Sequence, residues 1–175
     1  MPEDKKRNGS RFKATPLNKV LVAVDYSPSA QKIAETGYAL AKSMNAEVAL
    51  LHVVTDAAYY YTPEYSPIMG FTGYTGATVL NLIDVEKVKQ ASKEFLEKTR
   101  EHLDDEHIKI IVEESMGDTA QVILDAAKKQ RANLIVMGSH SRRWLEQVLL
   151  GSVTESVLHH TLIPLYIIPT KEAKK

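Results

Sequence analysis

The chain alternates short, wholly apolar segments with longer segments of helical periodicity, and this alternation constrains the fold more than any other feature. The apolar segments are rich in Val, Ile and Leu without polar alternation, which is typical of strands buried on both faces. Such strands, alternating with helices, predict a parallel sheet with right-handed crossovers. The predicted strands are Val20–Val24, Val48–Val54, Ile108–Val112, Leu134–Met137 and Ile163–Ile168, and the predicted helices are 28–44, 82–103, 119–130 and 152–160.

This pattern predicts an α/β fold with a doubly wound, five-stranded parallel sheet and helices on both faces. We assume the strand order 3-2-1-4-5 for this sheet. In such sheets, ligands bind beyond the carboxyl ends of the strands, where the strand order reverses. Here the reversal falls between the first and fourth strands. The candidate site therefore lies between Asp25-Tyr26-Ser27 and Gly138-Ser139-His140-Ser141.

The composition excludes several classes of protein. The chain has no cysteine, so disulfide scaffolds, thiol catalysis and iron–sulfur clusters are ruled out. Lys+Arg and Asp+Glu number 22 each, which gives no overall positive field for nucleic acid. We find no secretory signal and no apolar stretch near the roughly 20 residues of a membrane span, so we expect a cytoplasmic protein without a membrane partner. Basic tails at 1–17 and 171–175 flank one domain, 18–170.

An insertion at residues 55–81 interrupts the alternation and is too long for an ordinary connection. It carries only two charged residues, Asp56 and Glu64. Its aromatic side chains could each bury roughly 150–250 Å², which makes full exposure unfavourable. We expect the insertion to cover either a pocket or a partner surface. The aromatic residues are Tyr59, Tyr60, Tyr61, Tyr65, Phe71 and Tyr74.

Two glycine-marked turns in the last third of the chain are candidates for binding a phosphate chain. Gly138 follows a buried strand, where a missing side chain lets a ligand approach the backbone. Gly151 precedes a helix whose first N–H groups attract anions, and Ser152 and Thr154 add hydroxyl donors. Arg142 and Arg143, between the turns, could neutralise the phosphates. The structural alternative is that Gly138 and Gly151 serve only as turns and Ser152 caps the helix.

These segments resemble the universal stress protein family over roughly residues 18–169. The resemblance lies in the Val-Ala-Val-Asp25 opening, the Leu-His-Val-Val strand, the Met-Gly-Ser-His turn and the Gly-Ser-Val-Thr-Glu-Ser-Val-Leu-His-His helix followed by Ile-Pro-Leu. It implies a Rossmann-like fold of the adenine nucleotide alpha hydrolase-like type. It also implies a stress-response protein that binds ATP or AMP, in which Mg²⁺ could accompany the phosphates.

By position, the resemblance implies roles for individual residues. Nucleotide-binding members carry Gly, two residues, Gly, nine residues and Gly-Ser/Thr, which aligns here with Gly138, Ser141 and Gly151-Ser152. Ser141 replaces the second glycine, which we expect to weaken ATP binding without excluding it. Asp25 would hold the ribose hydroxyls, with helix capping as its structural alternative, and Val53 or Val54 would contact adenine. The other implied nucleotide-binding residues are Tyr26, Ser27, Met137, His140, Arg142, Val153 and Thr154.

The remaining histidines and acids indicate no catalytic centre. His140 is expected to donate to a phosphate or simply to belong to the turn, because no nearby acid in the sequence orients it. His52, in an apolar strand, is expected to be a satisfied core histidine. Glu113-Glu114 and Asp104-Asp105 are expected to be solvated surface acids. Any ATP hydrolysis should therefore be slow.

The last strand, Ile163–Ile168, is strongly apolar and lies at an edge of the predicted sheet, which favours pairing with another strand. The family resemblance implies a homodimer formed by antiparallel pairing of this strand about a twofold axis. An alternative function is a dimeric interaction scaffold without nucleotide, in which Ser141 and the aromatic insertion close the pocket.

Overall fold

The computed structural model describes residues 16–55, 85–139 and 150–170. The tails, most of the insertion 55–81, the start of the predicted helix 82–103 and residues 140–149 lie outside these ranges. The described elements alternate as predicted. They are β1 (Lys19–Ala23), α1 (Ala30–Ser43), β2 (Glu47–Val54), α2 (Val85–His102), β3 (Lys109–Glu114), α3 (Thr119–Gln130), β4 (Leu134–Gly138), α4 (Ser152–His160) and β5 (Leu165–Ile168).

The strands form one parallel sheet in the order β3-β2-β1-β4-β5, which confirms the predicted fold. The central strand β1 has Val20 level with Val48 of β2 on one side and with Leu134 of β4 on the other. The chain runs outward from β1 to β3 and then returns to the opposite side of β1. The reversal therefore lies between β1 and β4, as predicted.

The two faces of the sheet are covered by different helices. One face packs against α1 and α2 in a core that includes Val22, Leu50 and Phe95. The other face packs against α3 and α4 in a core that includes Leu51 and Ile135. Side chains alternate along each strand, so neighbouring residues of a strand belong to opposite faces.

The start of the last strand differs from the prediction. β5 begins at Leu165 rather than at Ile163. The Thr161 hydroxyl accepts from the Ile163 amide at 2.9 Å and donates to the Ile163 carbonyl at 2.8 Å. Both backbone groups of Ile163 therefore serve a turn and not the sheet.

Asp105 is not the solvated surface acid that we expected. Its carboxylate is 15% exposed and accepts from the Tyr38 hydroxyl at 3.0 Å, Lys42 Nζ at 3.3 Å and the His107 amide at 3.0 Å. These bonds, the His107 amide foremost, lower the pKa of Asp105. Asp105 thus ties the turn after α2 to α1, whereas its neighbour Asp104 is exposed as expected.

Candidate functional site

The two glycine turns predicted from sequence meet at the carboxyl edge of the sheet. β1 ends at Ala23 and the adjacent β4 ends at Gly138, so the segments after both strands leave the same edge. The Gly151 amide donates to the Ser139 carbonyl at 2.8 Å, and Thr154 Oγ1 donates to the Gly138 carbonyl at 2.9 Å. These two bonds fix the start of α4 against the end of β4.

The N-terminus of α4 has no side-chain cap. Its N-cap residue is Gly151, in an extended conformation with φ −72° and ψ 153°. The amides of Ser152, Val153 and Thr154 have no acceptor among the residues that the structure describes. Such unpaired amides, together with the helix dipole, favour an anion at this position.

Two expectations about this turn need correction. The Thr154 hydroxyl is buried and its proton is donated to the Gly138 carbonyl, so it is not a donor for a phosphate. Ser152 does not cap the helix, because Gly151 occupies the N-cap position and Ser152 lies exposed in the first turn. The anion-binding capacity of α4 therefore rests on main-chain amides.

Protein atoms packed around Gly138 leave little room for a side chain. A Cβ at this position would lie 2.6 Å from Ile33 Cδ1 and 2.9 Å from Thr170 Cγ2. These contacts are closer than van der Waals distance, so the ends of the Ile33 and Thr170 side chains would have to move to admit a Cβ. Gly138 thus has a structural reason to lack a side chain, which is independent of the expectation that it lets a ligand approach the backbone.

Asp25 lies just past the end of β1, half-buried at the same edge as α4. Its Oδ1 accepts from the Ser27 amide at 3.1 Å, and the Ser27 and Ser29 hydroxyls lie 2.9 Å apart. The N-cap of α1 is Ser29, without a side-chain cap bond, so Asp25 does not cap this helix. The carboxylate is instead held by a local turn beside the reversal point.

The structure separates the two valines that were predicted together. Val54 is buried in the core under α1 and α2, and its carbonyl accepts from the Ser115 amide at 2.8 Å. Val53 is half-buried on the face covered by α3 and α4, where Met137 and Val153 also pack. Val53, and not Val54, therefore shares a face with the start of α4.

Tyr26 lies in the opposite core. Its side chain is 3% exposed, its hydroxyl lies 2.9 Å from Ser92 Oγ, and its ring centroid is 4.4 Å from that of His52 and 5.0 Å from that of Phe95. The side chain therefore points under α2, and the structure does not bring it to the face on which α4 begins.

His52 is buried as predicted, but only one of its ring nitrogens is satisfied. Nδ1 lies 2.9 Å from the Val24 carbonyl, whereas Nε2 has no hydrogen-bond partner in the described part of the chain. Burial lowers the pKa of His52 to about 4, so the ring is neutral near pH 7. Sequence reasoning missed the bond to Val24, although a polar residue in an apolar strand beside the reversal point was a usable signal.

The remaining candidates, His140, Ser141 and Arg142, lie outside the described residues. Within the described ranges, no group of three or more His, Cys, Asp or Glu residues is arranged to hold a metal ion. In the same ranges, no helix has the length and apolar character needed to cross a membrane. The described residues at this edge supply three main-chain amides without a described acceptor on one side and the half-buried Asp25 carboxylate on the other.

Comparison with known sequences identifies relatives over almost the whole chain. A family model described as the universal stress protein family matches residues 16–169. Universal stress protein MJ0531 of Methanocaldococcus jannaschii is 29% identical over 168 residues, which cover 95% of this chain and 89% of the relative. Universal stress protein A of Escherichia coli is 29% identical over 157 residues, which cover 89% of this chain and 96% of the relative.

Solved structures share the fold at lower identity. The M. jannaschii protein MJ0577 superimposes with a TM-score of 0.65 at 23% identity, over 91% of this chain and 100% of that chain. A universal stress protein in complex with cAMP gives a TM-score of 0.55 at 16% identity over 90% of this chain and 100% of that chain. A family protein from Arabidopsis thaliana with AMP bound gives 0.50 at 21% identity over 88% of this chain and 92% of that chain.

Proposed function

Because the chain belongs to the universal stress protein family, we propose that it binds an adenine nucleotide, ATP or AMP, at the reversal between β1 and β4. It then acts as a regulatory binding protein of the stress response in the cytoplasm, with slow ATP hydrolysis at most. One observation carries the proposal: α4 begins against the end of β4 with three main-chain amides that lack an acceptor among the described residues.

The order of the candidate groups across the sheet matches the order of parts in a nucleotide. Val53 on β2 would contact adenine, Asp25 after β1 would accept from the ribose hydroxyls, and the amides at Ser152–Thr154 would bind phosphate. β2 and β4 flank β1, so the two ends of this row are separated by about 10 Å, twice the spacing between strands. That span suits a ligand with its base at one end and its phosphate at the other.

The ligands of the related structures support an adenine nucleotide. One relative was solved with cAMP and another with AMP, and these ligands share an adenine base, a ribose and one phosphate. For ATP, we propose His140, Ser141 and Arg142, which lie outside the described residues, as further contacts of the phosphates. When ATP binds, an accompanying Mg²⁺ would neutralise its phosphates and be coordinated mainly by them.

The proposal includes a homodimer formed through β5. This strand pairs with β4 along one edge; Tyr166 within it is 44% exposed, and Leu162, shortly before it in sequence, is fully exposed. Large apolar side chains beside a strand edge favour association with a second copy. Sedimentation velocity of the wild-type chain and a Tyr166→Glu variant tests this part, since the variant should sediment as a monomer.

Thermal denaturation with added nucleotides tests the nucleotide-binding function. A ligand that binds only the folded state raises the melting temperature by mass action, so ATP or AMP should do so at millimolar concentration, and GTP should do so less. Mass spectrometry of the natively purified protein should identify a retained adenine nucleotide. If neither ATP, ADP nor AMP changes the melting temperature, the proposal is wrong and the ligand-free interaction scaffold remains.

A further inference from the structure

Val24, one residue beyond β1, remains tied to β2 by both of its backbone groups. Its amide donates to the Leu51 carbonyl at 2.9 Å, as in a regular parallel ladder. In a ladder that continued, its carbonyl would next accept from the Val53 amide. The carbonyl instead lies 2.9 Å from Nδ1 of His52, and no bond joins it to Val53. A side chain of β2 thus takes the place of the next ladder bond.

This substitution changes what the main chain of Val53 faces. Alternate residues of a strand direct their backbone groups to opposite neighbours. Leu51 bonds toward β1 through Val24, and Val54 bonds toward β3 through Ser115. The amide of Val53 is therefore directed toward β1, at a level beyond the last residue of that strand. This position lies at the carboxyl edge of the sheet, where the strand order reverses.

The ring of His52 is buried and packed among aromatic side chains in this arrangement. It is 3% exposed, with its centroid 4.4 Å from that of Tyr26 and 6.0 Å from that of Phe95. A carbonyl oxygen can only accept, so Nδ1 carries the ring proton and donates it to Val24. Nε2 is left as an acceptor without a donor in the described part of the chain. Among the described residues, the bond to the Val24 carbonyl is thus the one hydrogen bond of the His52 ring.

We propose that His52 is a positioning residue for the adenine nucleotide. Its Nδ1 proton holds the Val24 carbonyl, ends the ladder between β1 and β2, and leaves the Val53 amide to donate to the edge of the adenine ring. The same bond fixes the backbone immediately before Asp25, the carboxylate assigned to the ribose. This inference rests on the proposed nucleotide-binding function.

Two substitutions separate the hydrogen bond from the packing of the ring. His52→Phe keeps an aromatic ring between Tyr26 and Phe95 but removes the donor. His52→Asn is smaller and packs less well, but its amide nitrogen can take the position of Nδ1. We expect His52→Phe to weaken AMP binding about tenfold, the effect of one lost hydrogen bond, and His52→Asn to restore most of the affinity. Isothermal titration calorimetry with AMP at pH 7.5 measures both.

Ser92→Ala is the matched control, because it removes a buried hydroxyl from the same aromatic cluster without contacting Val24. It should lower the melting temperature and leave the AMP affinity unchanged. The inference is overturned if His52→Phe binds AMP as the wild type does, or if affinity follows melting temperature across the three variants.

Hydrogen exchange of the ligand-free protein gives a second readout that does not depend on nucleotide. Once His52→Phe releases the Val24 carbonyl, the Val53 amide should close the ladder and exchange at least about tenfold more slowly than in the wild type. An unchanged Val53 exchange rate contradicts the positioning role. A wild-type protein that binds neither AMP nor ATP contradicts the proposed function instead, so the two failures are distinguishable.

Discussion

Helices α3 and α4 cover the same face of the sheet and both begin at its carboxyl edge, yet their first turns are completed differently. At α3, the Asp118 carboxylate accepts from the Gln121 amide at 2.9 Å. At α4, Gly151 offers no side chain. The helix start is held instead by the Thr154 hydroxyl, which donates to the Gly138 carbonyl, and by the Gly151 amide, which donates to the Ser139 carbonyl. The first helix supplies its own anion, whereas the second has three amides without an acceptor among the described residues.

This difference separates a helix start completed by its own side chain from one at which we propose that a ligand completes the first turn. A side-chain cap contributes about 1 kcal/mol to stability, and α4 forgoes it although Gly151 has backbone angles that any residue can adopt. A phosphate that bound there would complete the first turn of α4 as Asp118 completes that of α3. The comparison can be tested by adding a side-chain cap to α4 and by removing the cap of α3.

Gly151→Asp should have the largest effect, because it gives α4 the cap that α3 has. The new carboxylate would occupy the phosphate position, and we expect adenine nucleotide affinity to fall about 100-fold, which corresponds to about 3 kcal/mol. The cap should meanwhile raise the free energy of unfolding by up to about 1 kcal/mol. Calorimetric titration and urea denaturation measure the two changes.

Gly151→Asn is the control for this change, because asparagine caps a helix without adding charge. It should weaken nucleotide binding less than Gly151→Asp does. Equal affinity of the Asp variant and the wild type would mean that the phosphates bind elsewhere.

The contrast between α3 and α4 concerns one face of the sheet. The other face, covered by α1 and α2, should be closed to solvent at the same edge, and the pH dependence of stability due to His52 tests this. Its contacts among the described residues are Val24, Tyr26 and Phe95, none of them charged near pH 7. Its pKa is about 4 when folded, below the ordinary 6.5, so the unfolded chain takes up the proton first. The stability that it contributes is complete above pH 6.5 and is lost as pH falls toward 4, on the order of 3 kcal/mol.

Urea denaturation at pH 7 and pH 4.5 should therefore show a smaller loss of stability in His52→Phe than in the wild type. The carboxylates titrate in both proteins, so the difference between the two pH dependences isolates His52. Identical pH dependences would show that solvent reaches the ring and that this face is open.

Gly138→Ala should have the next largest effect, since it disturbs the strand end on which α4 sits. The added methyl group meets Ile33 and Thr170, and we expect a loss of about 2 kcal/mol in the free energy of unfolding. Ile33→Val removes the closest atom, Cδ1, so the double variant should be more stable than the sum of the single changes predicts. Strict additivity would mean that Ile33 is not what requires the glycine.

Asp118→Ala should have the smallest effect, because it only removes the cap of α3. We expect the free energy of unfolding to fall by about 1 kcal/mol, and Asp118→Ser to recover most of it. Nucleotide affinity should stay unchanged in both variants. A clear loss of affinity in Asp118→Ala would show that α3 takes part in binding, which would break the contrast with α4.

The parallel sheet with helices on both faces could be predicted because it depends on local patterns, whereas its strand order was an assumption that the structure confirms. Each strand is a continuous apolar segment, and helices with clear periodicity lie between them, so the sequence leaves few alternatives. The positions of Asp25 and Gly151 at one edge follow directly from this order. The start of β5 was missed because the Thr161 hydroxyl, and not the apolar character of Ile163, decides where pairing begins.

The reasons behind individual site residues depend on contacts between distant segments. Gly138 is followed by a turn, as a ligand-binding glycine would be, but the atom that excludes a side chain belongs to Ile33 on α1. Thr154 is a plausible phosphate donor in sequence, yet its hydroxyl is used by Gly138. Likewise, only the pairing of β1 with β2 brings His52 to the Val24 carbonyl.

An NMR titration of ¹⁵N-labelled protein with AMP and ATP tests the nucleotide site most directly. The amide signals of Ser152, Val153 and Thr154 should shift strongly downfield as a phosphate accepts their protons. Those of Thr119 and Gln121, at the capped start of α3, should stay within the small changes seen elsewhere. If saturating nucleotide leaves the three α4 amides unmoved, the phosphates do not bind at this helix.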